Sequence, residues 1–566
     1  MVLAEKIELT RRGFLVKSGA GAAGAAALSM GKTAVALAAP AEQSGGHLRL
    51  RWVAEPENMD PQKASFIDEI EMIMRVYRNL LQFDGTGSMV PDMAEAMPEV
   101  TEDGTLFTFR LKPGLTYSDG RPLTAQDFVY GWKRHMDPRT QGQYAFLGYI
   151  IAGGEALNTA DPTKVSAADI QTLKDALGVW AVDDLTLQIK TLAPAPWFLS
   201  VLTTWCGVPT RQDTIMAGNS GDEFASKWVQ PATYIGSGPY IWSGYEPEVR
   251  FTWTANSRYA SGAPAIQTVS RTLIKEAAVA FAAYLNDEID VVGVIAEDKP
   301  RVDADPALRA QFYQFADPLT LWIAFSSTKP PFDNQKVRAA FASAYDRVSY
   351  VRNIEGGQGI PARQLIPPGF PGHFEFELEE QTFNPDTARR LLAEAGYPGG
   401  RGLPPIKYTF TNTAAGRRRA EAVAQTIGQV LGITIDLEGL EARERTAMRK
   451  SVERYPQMTP AGWHQDYADP QNWYSTVFNS KNPVDKTGWK NAEFDRLTDA
   501  ADVELDGTRR MDLYRQAGQI FINDSPVILQ HYGIVWNLVK PRVQNYKPDA
   551  LDFFFGEHNM YTMRIG

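Results

Sequence analysis

The chain is 566 residues long, 44% hydrophobic and 22% charged, with 57 Lys and Arg against 67 Asp and Glu for a formal net charge of −10. That length allows ample core burial but exceeds one ordinary core, so two or three domains are expected. The acidic balance argues against nucleic acid and anionic membrane surfaces as partners. The single cysteine, Cys206, can form no disulfide within the chain, so packing must hold the fold.

The elements follow in chain order. Arg11-Arg12 precedes a weakly apolar Ala/Gly-rich run from Ser18 to Ala39, and Ala36-Leu37-Ala38 offers small residues to a signal peptidase. Residues 1–38 read as a twin-arginine-type signal peptide, which implies export to the periplasm. No cysteine lies near residue 38, so no lipid anchor is expected at the cleavage site. Loss of this leader removes five Lys/Arg and two Asp/Glu and takes the net charge to −13. The GAGAAG run at 19–24 follows no strand and is not read as a dinucleotide site.

Ile67, Ile70, Met74, Tyr77 and Leu81 form a helical stripe whose expected role is core packing. Phe107, Phe109 and Leu111 alternate as in a half-buried strand, as do Leu185, Leu187 and Ile189, and Val249, Phe251 and Trp253. Thr124-Ala125-Gln126-Asp127 is a capping-box variant that opens a helix carrying Phe128 and Trp132 inward. Gly236-Ser237-Gly238-Pro239 reads as a turn with positive φ, placing Tyr240 at a strand start. Asn384-Pro385-Asp386 opens a helix that Gly396 closes.

From residue 406 the period switches twice. Ile406, Tyr408 and Phe410 alternate; Ala420, Val423, Ala424, Ile427 and Leu431 recur at helical spacing; Ile433, Ile435 and Leu437 alternate again. This is a βαβ unit with a parallel strand pair. Arg417-Arg418-Arg419 begins its helix, and a solvated face is the expected role.

Enzyme signatures are missing. The histidines, 47, 135, 373, 464, 531 and 558, show no metal-ligand spacing, and HExxH, GxSxG and P-loop patterns are absent. Cys206 reads as buried and inert. A pair of carboxylates meeting in a cleft stays open as a hydrolase alternative. The segment GWHQDYADP, 462–470, sets Trp463 three residues before Asp466. That pair suits a ligand with a cationic end, the carboxylate supplying counter-charge and the indole an amphipathic wall.

Segments along the whole mature chain resemble the extracellular solute-binding proteins of the oligopeptide and dipeptide transport group, family 5. They are NMDPQKA (58–64), LTYSDGRPLTAQDFVYGWKR (115–134), IGSGPY (235–240), AAYLNDEIDV (282–291), PFDNQKVRAAFASAYDR (331–347), NPDTARRLLAEAGYP (384–398) and GWHQDYADP. The resemblance implies an α/β, bilobal Venus-flytrap fold with an extra domain inserted in the first lobe. Lobe I would combine 47–82, 207–316 and 533–566, the inserted domain would be 83–206, and lobe II would be 317–532. It implies no catalysis, cofactor or metal, and a monomer that delivers a peptide or peptide-like ligand to the permease subunits of an ABC importer.

By the same resemblance, Asp466 would pair with the ligand's α-amino group. Backbone at Gly462, Trp463 and His464, and at Ser65, Phe66 and Ile67, would bond the peptide main chain, which leaves side chains to roomy pockets. Tyr144 would face the ligand from the inserted domain. Three departures stand out. Enteric peptide binders carry at His464 a cysteine bonded to another near the start of lobe II, and both are missing here. Their basic residue two before the Gly-Trp is Pro460, and a histidine that helps hold peptide carboxyl termini is Gly416. The carboxylate end is thus changed. Arg417 is the candidate to take it over, and another amine-bearing solute, opine-like or a cell-wall peptide, is the alternative.

Overall fold

The computed structural model describes residues 46–84, 88–376, 381–481, 484–547 and 562–566. The expected leader, residues 1–38, lies outside them. Three sheets organise the rest. The first runs in the order His47–Trp52, Thr268–Leu273, Arg250–Ala255, Tyr240–Glu246, and only its first pair is parallel. The second is antiparallel, in the order Glu99–Val100, Leu106–Arg110, Thr186–Lys190, Val179–Asp183. Phe107, Phe109, Leu187 and Ile189 are buried on one face, in the same apolar cluster as Phe128 and Trp132 from the Ala125–Met136 helix. Asp127 accepts from the Thr124 N–H at 2.8 Å, so that helix starts at the expected cap.

The third sheet carries the interest. Its order is Val291–Gly293, Val527–Val539, Phe312–Phe325, Met458–His464, Ile406–Thr411, Ile435–Leu440. Ile406–Thr411 and Ile435–Leu440 pair in parallel, Ile406 opposite Ile435, joined by the Ala414–Leu431 helix that buries Ala420, Val423, Ile427 and Leu431. The second strand begins at Ile435 instead of Ile433, because Gly432 ends the helix at φ 70° and the next two residues make the joint. Central strands are covered on both faces: Trp322 and Ala324 enter one core cluster, Ile323 and Phe325 another. This explains an apolar run where a half-exposed strand would alternate.

Phe312–Phe325 and Val527–Val539 are long antiparallel strands whose register shifts twice, between Ala316 and Thr320 and again between Leu321 and Trp322. Phe312–Ala316 faces Leu538–Ile534, and pairing resumes with Thr320 opposite Tyr532. Asp317, Pro318 and Leu319 fill the break. Opposite them stands Gly533, where a Cβ would lie 2.9 Å from the Asp317 Cβ.

Three local expectations are corrected. The stripe from Ile67 does not continue to Leu81: the helix spans Ile67–Val76, Tyr77 is extended, and Leu81 opens a short strand. Ile67 itself is 43% exposed, because it sits on the first turn beyond the packed face. Gly236 and Gly238 do not adopt positive φ. They are glycines because the Arg75–Val76 backbone lies against them, Gly238 N donating to the Val76 carbonyl at 2.7 Å.

Candidate functional site

The site grows from the edge of one strand. Met458–His464 pairs along its length with Phe325–Leu319, antiparallel. On the other side Ile406–Thr411 meets it only at Met458, opposite Tyr408. Beyond Met458 that edge carries no strand among the described residues. In an antiparallel pair, residues alternate between bonding the neighbour and facing away. The Gln465 N–H donates to the Pro318 carbonyl at 2.9 Å, which sets the phase. Residues 461 and 463 therefore bond inward, while Gly462 and His464 turn their N–H and C=O groups, and Pro460 its carbonyl, to the open side. Pro460 agrees: its carbonyl accepts from Arg445 Nη1 at 2.9 Å. Gly462 is glycine because a Cβ there would lie 2.7 Å from Leu321 Cδ2 and 2.9 Å from the Thr320 carbonyl oxygen.

Past His464 the chain turns. Asp469 caps the short Pro470–Trp473 helix, and a bidentate ion pair to Arg510 at 2.9 and 2.7 Å fixes that cap. The helix returns the fully buried Asn472 beneath Asp466. Asn472 Oδ1 accepts from Trp463 Nε1 at 3.0 Å and from the Asp466 N–H at 2.9 Å, and its Nδ2 donates to Asp466 Oδ2 at 3.2 Å. Asp466 Oδ1 accepts from the Tyr144 hydroxyl at 3.1 Å. His464 is bound elsewhere, Nε2 lying 2.9 Å from Asp317 Oδ1 at the register break.

Asp466 keeps a sliver of open surface but is walled by protein on most sides. That burial raises its pKa from 3.8 to about 6, with the bonds from Asn472 and Tyr144 and the nearby His464 pulling the other way. Among the described residues no Lys or Arg forms an ion pair with it. A desolvated carboxylate with neutral hydrogen-bond donors and no Lys or Arg paired to it among the described residues suits a positively charged group.

Tyr144 precedes the 3₁₀ turn Ala145–Gly148, and its ring meets Trp205 edge-on at 5.0 Å. Trp205 Nε1 donates to the Ala64 carbonyl at 3.3 Å, which brings Ser65–Ile67 beside this cluster. The N–H groups of Ser65 and Phe66 donate to Glu69 Oε2 at 2.9 and 3.1 Å, and the Phe66 carbonyl accepts from Glu69 and Ile70. Most of this segment's main chain is thus engaged in a helix cap. What it presents is apolar: Phe66 is 56% exposed. A second contact reaches across, Tyr467 stacking on Trp197 at 6.0 Å.

Arg417 stands apart. It is exposed on the first turn of Ala414–Leu431 with its guanidinium over the Phe410 ring at 5.6 Å. No hydrogen bond or ion pair joins it to Asp466 or Tyr144 among the described residues. Arg419 is held by Glu355 at 2.9 and 2.7 Å. Cys206 is fully buried, and burial pushes its thiol pKa up, which keeps it inert. Two residues escape a reading of the sequence. Asn472 was signalled only by Asp469-Pro470, a helix start that places it on the first turn. Arg445 carries no local signal.

A carboxylate beside an open strand edge, contacted by elements from separate parts of the chain, makes this a candidate solute-binding site. The profile of bacterial extracellular solute-binding proteins, family 5 (middle region), matches residues 88–485, and the chain belongs to that family. The oligopeptide-binding protein OppA of Bacillus subtilis is 27% identical over 503 residues, 86% of this chain and 88% of that one. The probable deoxycholate-binding periplasmic protein YgiS of Escherichia coli is 27% identical over 506 residues, 87% and 89% of the two. The unliganded open form of the murein tripeptide-binding protein MppA superposes with a TM-score of 0.74 at 25% identity, covering 93% of this chain and 98% of that one. The fold is the bilobal periplasmic-binding-protein fold.

Proposed function

We propose that this protein is the periplasmic substrate-binding component of an ABC importer and that its ligands are peptides with a free amino terminus. The observation that carries the proposal is Asp466, a desolvated carboxylate with donors on both oxygens and no Lys or Arg partner among the described residues. An α-ammonium fits it by charge and hydrogen bonding. The ligand's main chain then adds to the open edge at Gly462 and His464, which gives affinity without reading side chains. Trp463 forms a wall beside it, half-buried and fixed through its indole N–H. A steroid carboxylate of the kind named for the YgiS relative brings no cation to Asp466.

The lobes are proposed to be 47–82 with 207–316 and 533–566, and 317–532, with 83–206 inserted. The register break at Ala316/Thr320 supports a hinge there, since residues released from pairing with Val527–Val539 absorb rotation at lower cost. Ligand contacts from both lobes would favour the closed form, which the permease subunits receive.

Native mass spectrometry of protein purified from its periplasm, followed by calorimetry with tri-alanine and N-acetyl-tri-alanine, tests the reading. Free peptide should bind and the acetylated form should bind far more weakly. Equal affinity for the two would overturn it, as would turnover of the peptide.

A further inference from the structure

We infer that Arg445 receives the carboxylate end of the ligand and so sets a preferred length of about three or four residues. This rests on the peptide reading above. Arg445 lies in the Ala442–Met448 helix that follows the Ile435–Leu440 strand, and its side chain enters the fork where Ile406–Thr411 and Met458–His464 diverge. Nε donates to Thr411 Oγ1 at 2.8 Å, and Nη1 donates to the Pro460 carbonyl at 2.9 Å and to Thr459 Oγ1 at 3.4 Å. All are neutral acceptors. No Asp or Glu is ion-paired with Arg445 among the described residues, and another cation, Arg449, acts on it. Arg449 differs in having Asp485 as its partner. Burial together with Arg449 lowers the pKa of Arg445, so a half-buried cation here is short of negative charge.

Its position gives that shortage a direction. Pro460 belongs to the outward-facing set 460, 462 and 464, so the guanidinium stands on the same open edge that ends at Asp466. An extended chain advances ~3.4 Å per residue. With its ammonium at Asp466, running antiparallel past His464 and Gly462, a ligand reaches Pro460 after about three or four residues. A cation therefore waits where the terminal carboxylate arrives, and an anion where the chain begins. Arg417, exposed over Phe410, faces no such edge.

The test is calorimetry with tri- and tetra-alanine, each as free acid and as C-terminal amide, against wild type, Arg445→Met and Arg445→Lys, with N-acetyl-tri-alanine as a control. Wild type should prefer the acid on the order of thirty-fold at one of the two lengths. Arg445→Met should lose that preference while binding the amides almost as before, and Arg445→Lys should keep part of it. Equal affinity of wild type for acid and amide at both lengths, with the acetylated peptide still rejected, overturns the role of Arg445 and leaves Asp466 standing. A variant that weakens acid and amide alike shows that Arg445 only props Pro460, and overturns it too. If wild type ignores acetylation, the peptide reading falls and this inference falls with it. The acid-against-amide comparison on wild type needs no variant, so a failure of Arg445→Met to fold leaves it decisive.

Discussion

Asn472 and Asp466 hold each other at two points. The Asp466 N–H donates to Asn472 Oδ1 at 2.9 Å, and Asn472 Nδ2 donates to Asp466 Oδ2 at 3.2 Å. One side chain thereby fixes both the backbone and the carboxylate of the same residue. Because Asn472 Oδ1 also accepts from Trp463 Nε1, wall and anion are positioned together. A binding group set this rigidly loses little freedom when ligand arrives.

Replacing Asn472 with Leu keeps the volume and removes both functions. Two buried donors, the Trp463 indole and the Asp466 N–H, lose their acceptor. The expected loss is about 2–4 kcal/mol of stability, read as a lower urea midpoint at unchanged slope. Tri-alanine binding should fall as well. An unchanged midpoint would mean that water takes over both bonds.

Asp466→Asn should move stability and affinity in opposite directions. The folded-state pKa is raised to about 6 by burial, so between 3.8 and 6 the folded protein holds a proton that the unfolded chain has released. Asp466 therefore costs stability as the pH climbs through that window, and the cost stays in full above it. At pH 7 the Asn variant should be more stable by roughly 1–3 kcal/mol, while binding free-amine peptides at least about thirty-fold more weakly. A variant that loses both stability and affinity would mark Asp466 as scaffold.

Binding should also be pH-dependent with a defined sign. The ligand ammonium needs the ionised carboxylate, and unliganded Asp466 takes up a proton below about 6. Affinity should be highest near pH 7, fall below 6, approaching tenfold per pH unit, and decline again above the ligand α-amino pKa of about 8. Calorimetry at pH 5 in buffers of different ionisation enthalpy should register close to one proton released per ligand bound. No proton release there would place the cationic end of the ligand away from Asp466.

Much of the scaffold was readable locally. The 406–440 βαβ unit, the Thr124 cap and the Asn384-Pro385 helix start depend on neighbours within one turn or one period, which a single sequence displays. The site was readable only in part. Trp463 and Asp466 stood out by type and context, but the open edge of Met458–His464 depends on where Ile406–Thr411, some fifty residues earlier, parts from it. That parting also decides where Arg445 points, and it leaves no trace in periodicity. The Gly236 and Gly238 error has the same root: a glycine needed for a close backbone neighbour looks identical in sequence to one needed for a left-handed turn.

The long Val527–Val539 strand has a consequence for how the molecule comes into being. It lies between Val291–Gly293 and Phe312–Phe325, in the interior of the third sheet. Until it leaves the ribosome, both neighbours are unpaired edges and two core clusters lack Ile528 and Leu529. The third sheet therefore cannot be completed before this strand is made, whereas the strands of the first and second sheets all precede residue 274. Completing it pairs Phe312 with Leu538, a contact of very long sequence separation, which slows that step. A chain that stops before Val527 leaves the third sheet split and two core clusters unfilled, and a nascent one offers chaperones an unpaired apolar edge until that strand is made.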